Sequence, residues 1–179
     1  MHAYGLLMIE HRLIERMLSV IKAELNKIEF RHEIDPVFVD IAVDFIRVYA
    51  DRTHHGKEED ILMRELKLKP LSAEDQRVMT ELVREHVLVR QTTALITNAN
   101  DRYRDGDQIA LIVIANNLKT LIEFFPKHIE KEDKQFYPAS RAYFTDAEDQ
   151  EILEEFGELD RKMVYEKYKA VVEKLESKQ

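Results

Sequence analysis

Seven histidines are spread along the chain: His2, His11, His32, His54, His55, His86 and His128. Glutamates stand four residues after three of the sites, at Glu15, at Glu58 and Glu59 after the adjacent pair, and at Glu132. On a helix that spacing stacks the two side chains on one face. Turned outward, such a pair is a solvated contact of about 0.2–0.5 kcal/mol. Turned inward, imidazole and carboxylate together are metal ligands. There is no cysteine, which excludes disulfides, thiolate zinc sites, Cys-ligated iron–sulfur clusters, covalent haem attachment and cysteine nucleophiles. Neutral imidazole with carboxylate and no thiolate suits iron, manganese or zinc.

The elements that must position these residues read as helices, because apolar residues recur at three and four. The first spans about Ala3 to Glu29, with Leu7, Ile14, Leu18, Ile21, Leu25 and Ile28 on one face and His11 filling the gap. Asp35 caps the second, Pro36 opens it and Pro70 ends it after about Lys69. Ser72, with Asp75 three residues on, opens the third, which closes around Arg104 to Gly106. Asp107 caps the fourth, which extends to Phe136 and carries Pro126 inside it, so a kink or restart is expected there. The fifth starts after Thr145 and runs to about Ser177, with Leu153, Phe156, Leu159, Met163 and Val171 apolar. Four long helices on short connections predict an all-α, up-and-down antiparallel four-helix bundle over residues 1–140. The fifth is a C-terminal helical extension, 141–179, packed on the bundle or on a partner subunit. Only four glycines and four prolines leave too few turns for a sandwich or barrel.

A helical wheel turns about 100° per residue. With Ile41 as zero, Phe45, Val48, Leu62 and Leu66 fall within about 60°. His55 falls about 40° to one side and Glu59 almost on the axis, whereas His54 and Glu58 fall about 100° or more away. The expected inward pair is therefore His55 and Glu59, with His54 flanking and the rest of the acidic run Glu58-Glu59-Asp60 solvated. On the fourth helix, Ile114, Leu118, Leu121, Phe125, His128, Glu132 and Phe136 share a stripe. His86 lies in the third helix's stripe and His11 in the first's; Glu10 is near enough to support the site or join it. His2 and His32 read as surface residues.

The pattern repeats. EHRLIERMLSVI from Glu10 echoes EHVLVRQTTALI from Glu85, and a His-x-x-x-Glu pair follows each. Two hairpins packed about a pseudo-twofold axis would gather four imidazoles and two carboxylates in the core. Burying them without compensation is costly, and metal binding is the usual resolution. Six ligands exceed what one catalytic zinc takes. They suit two metals, two histidines each with both glutamates bridging, and leave positions open for a small ligand.

Net charge is −8, which disfavours nucleic acid and anionic membrane as partners. No apolar run reaches the roughly 20 residues that span a bilayer, and no signal peptide is evident; the expected compartment is the cytoplasm.

The segments IEHRLIERM (9–17), HHGKEEDIL (54–62), REH (84–86) and HIEKEDKQFYP (128–138) resemble the hemerythrin-like, HHE cation-binding family over roughly residues 3–140. The resemblance implies a four-helix bundle holding two non-haem irons, with His11, His55, His86 and His128 as terminal ligands and Glu59 and Glu132 as bridges; manganese or zinc are the alternative metals. Asp133, five after His128, competes with Glu132 as bridge. The oxygen carriers of the family have a second histidine four residues away on the third helix; Leu82 and Arg90 stand there instead. The four-His, two-Glu set is similar to the di-iron proteins of iron–sulfur cluster repair, without their Cys-bearing domain. The function expected is binding or reduction of dioxygen, peroxide or nitric oxide, in oxidative or nitrosative stress or iron handling, with an external electron donor. The alternative is an oxygen, redox or iron sensor, or a binding module without turnover, with a homodimer as one route of signalling.

Overall fold

The apolar stripes wind into five helical rods among the residues 2–176 that the computed structural model describes. Helix α1 is Ala3–Arg31. Helix α2 covers 36–66: α-helical over Pro36–Asp44, π-helical over Phe45–His55 and again over Lys57–Leu62, and α-helical over Met63–Leu66. Helix α3 is Ala73–Arg104. Helix α4 covers 110–141 as Ala110–Lys131, a π turn Glu132–Phe136, and Tyr137–Arg141. Helix α5 is Asp146–Glu176. Ser177, and the side chain of Val171, lie outside the described residues.

Local chemistry sets the ends. Asp35 accepts from the Val37 amide at 2.9 Å with Pro36 in the first turn, and Ser72 accepts from the Asp75 amide at 3.1 Å. His32 closes α1 in the left-handed conformation, φ 53°, its amide reaching the Ile28 carbonyl. Asp107 accepts from the Ile109 amide in the turn before α4, which starts three residues later than its cap at Ala110. Pro126 forces no restart: α4 runs through it.

Helices α1, α2, α3 and α4 pack in antiparallel order around one axis, with α3 against α2 and α4, and α4 also against α1. Helix α5 lies over α1 and the π-helical part of α2. The core divides in two. One apolar cluster holds Ile14, Leu18, Ala50, Val89, Ile114 and Phe125; the other holds Leu7, Ile61, Leu66, Leu82, Phe136 and Phe156. Between them each of α1 to α4 carries buried polar groups: His11 on α1, His54, His55 and Glu58 on α2, His86 on α3, His128 and Glu132 on α4.

Helix α5 also caps α1. The Ala3 amide donates to Asp149 Oδ1 at 3.2 Å, and His2 Nδ1 donates to Asp149 Oδ2 at 3.0 Å. Asp149→Ala is expected to lower stability by about 1 kcal/mol, the usual value of a lost N-terminal cap; the check is a lower urea midpoint at an unchanged slope.

Candidate metal centre

Five imidazoles converge on the polar layer, and each is held from behind. His11 Nδ1 donates to Asp133 at 2.7 Å, His54 Nδ1 to Glu10 at 2.9 Å and His55 Nδ1 to Asp51 at 3.3 Å. His86 Nδ1 donates to Glu59 at 2.8 Å and His128 Nδ1 to Glu85 at 2.7 Å. A carboxylate on Nδ1 fixes the tautomer, so the unprotonated Nε2 lone pair of each neutral ring points inward. The carboxylates are themselves fastened. Arg90 binds both Asp51 and Glu59, Arg12 binds Asp133, Lys57 binds Glu10 and Lys131 binds Glu85.

The inward atoms lack adequate partners. Nε2 of His54, His55, His86 and His128, Glu58 Oε2 and both oxygens of Glu132 are buried without a hydrogen bond. Orphans of this kind are rare because each is costly. They fall into three groups whose atoms lie within 4.8 Å of one another: His55, His86 and His128; His11, His54 and Glu132; and Glu58, His86 and Glu132. Glu132 stands 3.2 Å from His11 Nε2 and from His128 Nε2, and Glu58 stands 3.4 Å from His86 Nε2. Tyr137 donates to Glu58 Oε1 at 2.7 Å, its oxygen 3.4 Å from His11 Nε2. This donor set, all imidazole nitrogen and carboxylate oxygen, is one that could hold metal cations.

Of the six residues expected from the sequence, the structure brings together His11, His55, His86, His128 and Glu132. Glu59, expected to face inward, lies on the flank, accepting from His86 and Arg90, and Glu58 stands in the inward place. His54, expected to flank the site, is 1% exposed and points into it. Asp133 stands behind His11, accepting from its Nδ1 and from Arg12. Two physical reasons account for the shift. Ile41, the zero of the wheel, is 59% exposed. And a π-helix bonds each residue to the fifth one back, as the Gly56 amide does to the Asp51 carbonyl, so each residue turns through less than the α-helical angle. That slower turn lets the neighbours His54 and His55 both face the core.

The sequence did carry the signal. HHGKEED at 54–60 aligned on HIEKEDK at 128–134 pairs His54 with His128, Lys57 with Lys131, Glu58 with Glu132 and Glu59 with Asp133. Every pair plays matching roles in the fold. Among the inward donors of this segment His55 breaks the symmetry, its counterpart being the buried Ile129.

The electrostatics of the cluster's own side chains follow from this packing. Burial opposes charge on His11, but Asp133 and Glu132 overcome it and raise His11 to about 9. Burial also opposes charge on His86, which Glu132 and Glu59 raise to about 10. Burial pushes His54 down to about 4 despite Glu10, and burial with its imidazole neighbours holds His55 well down. Burial and the Glu132 charge push Glu58 well up, whereas the surrounding imidazoles keep Glu132 ionised against its own burial. Protons on His11 and His86 thus do in part what a metal would do.

The stability that raised histidines contribute is full below the unfolded value of 6.5 and is lost as pH rises through the folded value. Chelator-treated protein is therefore expected to lose stability from pH 6.5 to about 10. Metal-loaded protein, its imidazoles already neutral, should not. Urea unfolding at intervals across that range, with and without metal, checks both.

The hemerythrin family, described as the hemerythrin HHE cation binding domain, matches residues 2–140. No curated protein and no solved structure matches the chain. The matched span is most of the 179 residues. It contains every inward donor and every carboxylate behind one, and it stops before α5. On this match, together with the histidine and glutamate clusters in its core, the chain belongs to the hemerythrin HHE cation-binding family.

Proposed function

We propose that the centre holds two non-haem irons and that the protein binds or reduces a small oxidant, dioxygen, peroxide or nitric oxide. The observation that carries this is the set of seven inward donors, His11, His54, His55, Glu58, His86, His128 and Glu132, closed between two apolar clusters. Bound iron supplies a one-electron redox couple and an open coordination position for a small molecule. Manganese is the alternative. Zinc fits less well, since a catalytic zinc takes three protein ligands and would leave buried donors unmatched.

The chain's own residues shape what such a centre does. His55, His86 and His128 form one group of three imidazoles, and His11 and His54 a pair with Glu132. Two metals held by these groups would have unlike surroundings, and the one beside His11 and His54, with fewer imidazoles, would be left more open to a ligand. Tyr137 stands on that side and holds a hydroxyl proton against Glu58. Five imidazoles to two carboxylates give a site of low negative charge, suited to a metal that stays reduced until it meets the oxidant. Enclosure excludes bulk water and any large substrate. Turnover needs an external one-electron donor. We place this activity in the cytoplasm, in oxidative or nitrosative stress or in iron handling; no helix among the described residues is long and apolar enough to cross a membrane. In this reading residues up to about 140 form the metal-binding bundle and α5 is an addition to it.

The second reading, a sensor or binding module without turnover, is favoured by α5, which lies outside the matched domain yet packs on the helix that carries three of the seven donors. Steady peroxide or nitric oxide consumption by reduced protein with a continuous electron supply supports the enzyme. A single stoichiometric reaction supports the sensor.

Two substitutions test the ligand set. Glu58→Gln is expected to lower iron from about two per chain to one or fewer. Glu59→Gln is expected to keep about two irons while weakening their hold about 10–100-fold, as loss of a carboxylate behind a ligating histidine does. Metal analysis after desalting distinguishes them, and the reverse pattern would restore Glu59 as a ligand.

A further inference from the structure

Lys57 is fully buried, one position before Glu58. An ammonium so enclosed persists only when paired. Its partners come from two other helices. Nζ bonds Glu10 Oε1 on α1 and Asp160 Oδ1 on α5, the latter at 2.5 Å, with the Phe156 ring of α5 at 5.9 Å. The other oxygen of Glu10 receives His54 Nδ1. An unbroken line thus runs Asp160–Lys57–Glu10–His54 and ends at an imidazole of the cluster.

The internal twofold shows what this line is for. On the related side, Lys131 bonds Glu85, Glu85 holds His128 Nδ1, and the second carboxylate on Lys131 is Glu81 at 2.5 Å. Glu81 lies four residues before Glu85 on the same helix. The residue four before Glu10 is Leu6, which has no carboxylate to offer. Asp160 fills that role from α5, the one helix beyond the matched domain.

We propose that Asp160 is a positioning residue for the metal centre, holding His54 through Lys57 and Glu10, so that α5 completes the site. The assignment rests on His54 being a metal ligand. It explains why Lys57 can be buried where its counterpart Lys131 stays one-fifth exposed. It also gives α5 a physical means of acting on one metal position and not the other, because the line reaches only His54.

The test compares Asp160→Asn with Glu155→Gln in the full chain. Glu155 is also on α5 and bonds Arg64 at 2.8 Å, with no connection to the cluster. Asp160 is 41% exposed and asparagine matches its shape, so the fold should survive; circular dichroism confirms it. Each protein is loaded anaerobically with ferrous iron, and release to a ferrous chelator is followed with time. Asp160→Asn is expected to speed release of one of the two irons about tenfold, leaving the other at the wild-type rate. Glu155→Gln should match wild type in both phases. Wild-type rates in Asp160→Asn overturn the assignment, as does equal acceleration by Glu155→Gln, which would mean that any loosening of α5 suffices. Wild-type protein that takes up no iron overturns the metal reading beneath it.

Discussion

Each inward imidazole is fixed by a carboxylate behind it, and the rest of the structure is arranged around that constraint. An imidazole ring free to rotate presents either nitrogen. A ring whose Nδ1–H is bound to Asp133, Glu10, Asp51, Glu59 or Glu85 presents only Nε2. The carboxylates require counter-charge in turn, which Arg12, Arg90, Lys57 and Lys131 provide. A band of charge at mid-height therefore surrounds a buried layer of lone pairs. The apolar clusters above and below enclose those lone pairs, and metal ions are fitting partners for them.

The internal twofold explains how one chain builds this layer. Each hairpin contributes a Glu-His at one rod and a His-x-x-Lys-Glu-acid run at the next, and each hairpin's outer acid reaches across to the other hairpin's first histidine. Asp133 of the second half holds His11 of the first, and Glu59 of the first half holds His86 of the second. Neither half holds its own first histidine, although His54, His55 and His128 are held by carboxylates of their own half. This reciprocity couples formation of the site to docking of the hairpins. The two halves depart from symmetry at His55 against Ile129, and at Asp160 of α5 in place of a carboxylate at Leu6.

Much of the architecture was legible in the sequence because α1 and α3 keep the α-helical period through their inward stripes and α4 keeps it up to the π turn at Glu132. Leu7, His11 and Ile14 are buried together, as are Leu82, His86 and Val89, and His128 and Glu132 with Phe125 and Phe136. The caps at Asp35 and Ser72 were legible because side-chain oxygen and amide are two or three residues apart. Helix α2 was not, since a π-helix has no side-chain signature, and a phase error accumulates along it from an origin that was itself exposed. The same register shift moved Glu58 inward and Glu59 out. The role of Asp160 lay beyond any local pattern, because it joins residues about a hundred positions apart.

The most direct test of the two-metal centre is a crystal structure of the iron-loaded protein with anomalous data at the iron edge. The account predicts two anomalous peaks per chain, one ligated by Nε2 of His55, His86 and His128, the other by Nε2 of His11 and His54, with Glu58 and Glu132 between them. A single peak, a peak outside this layer, or Glu59 turned in with Glu58 turned out would contradict it.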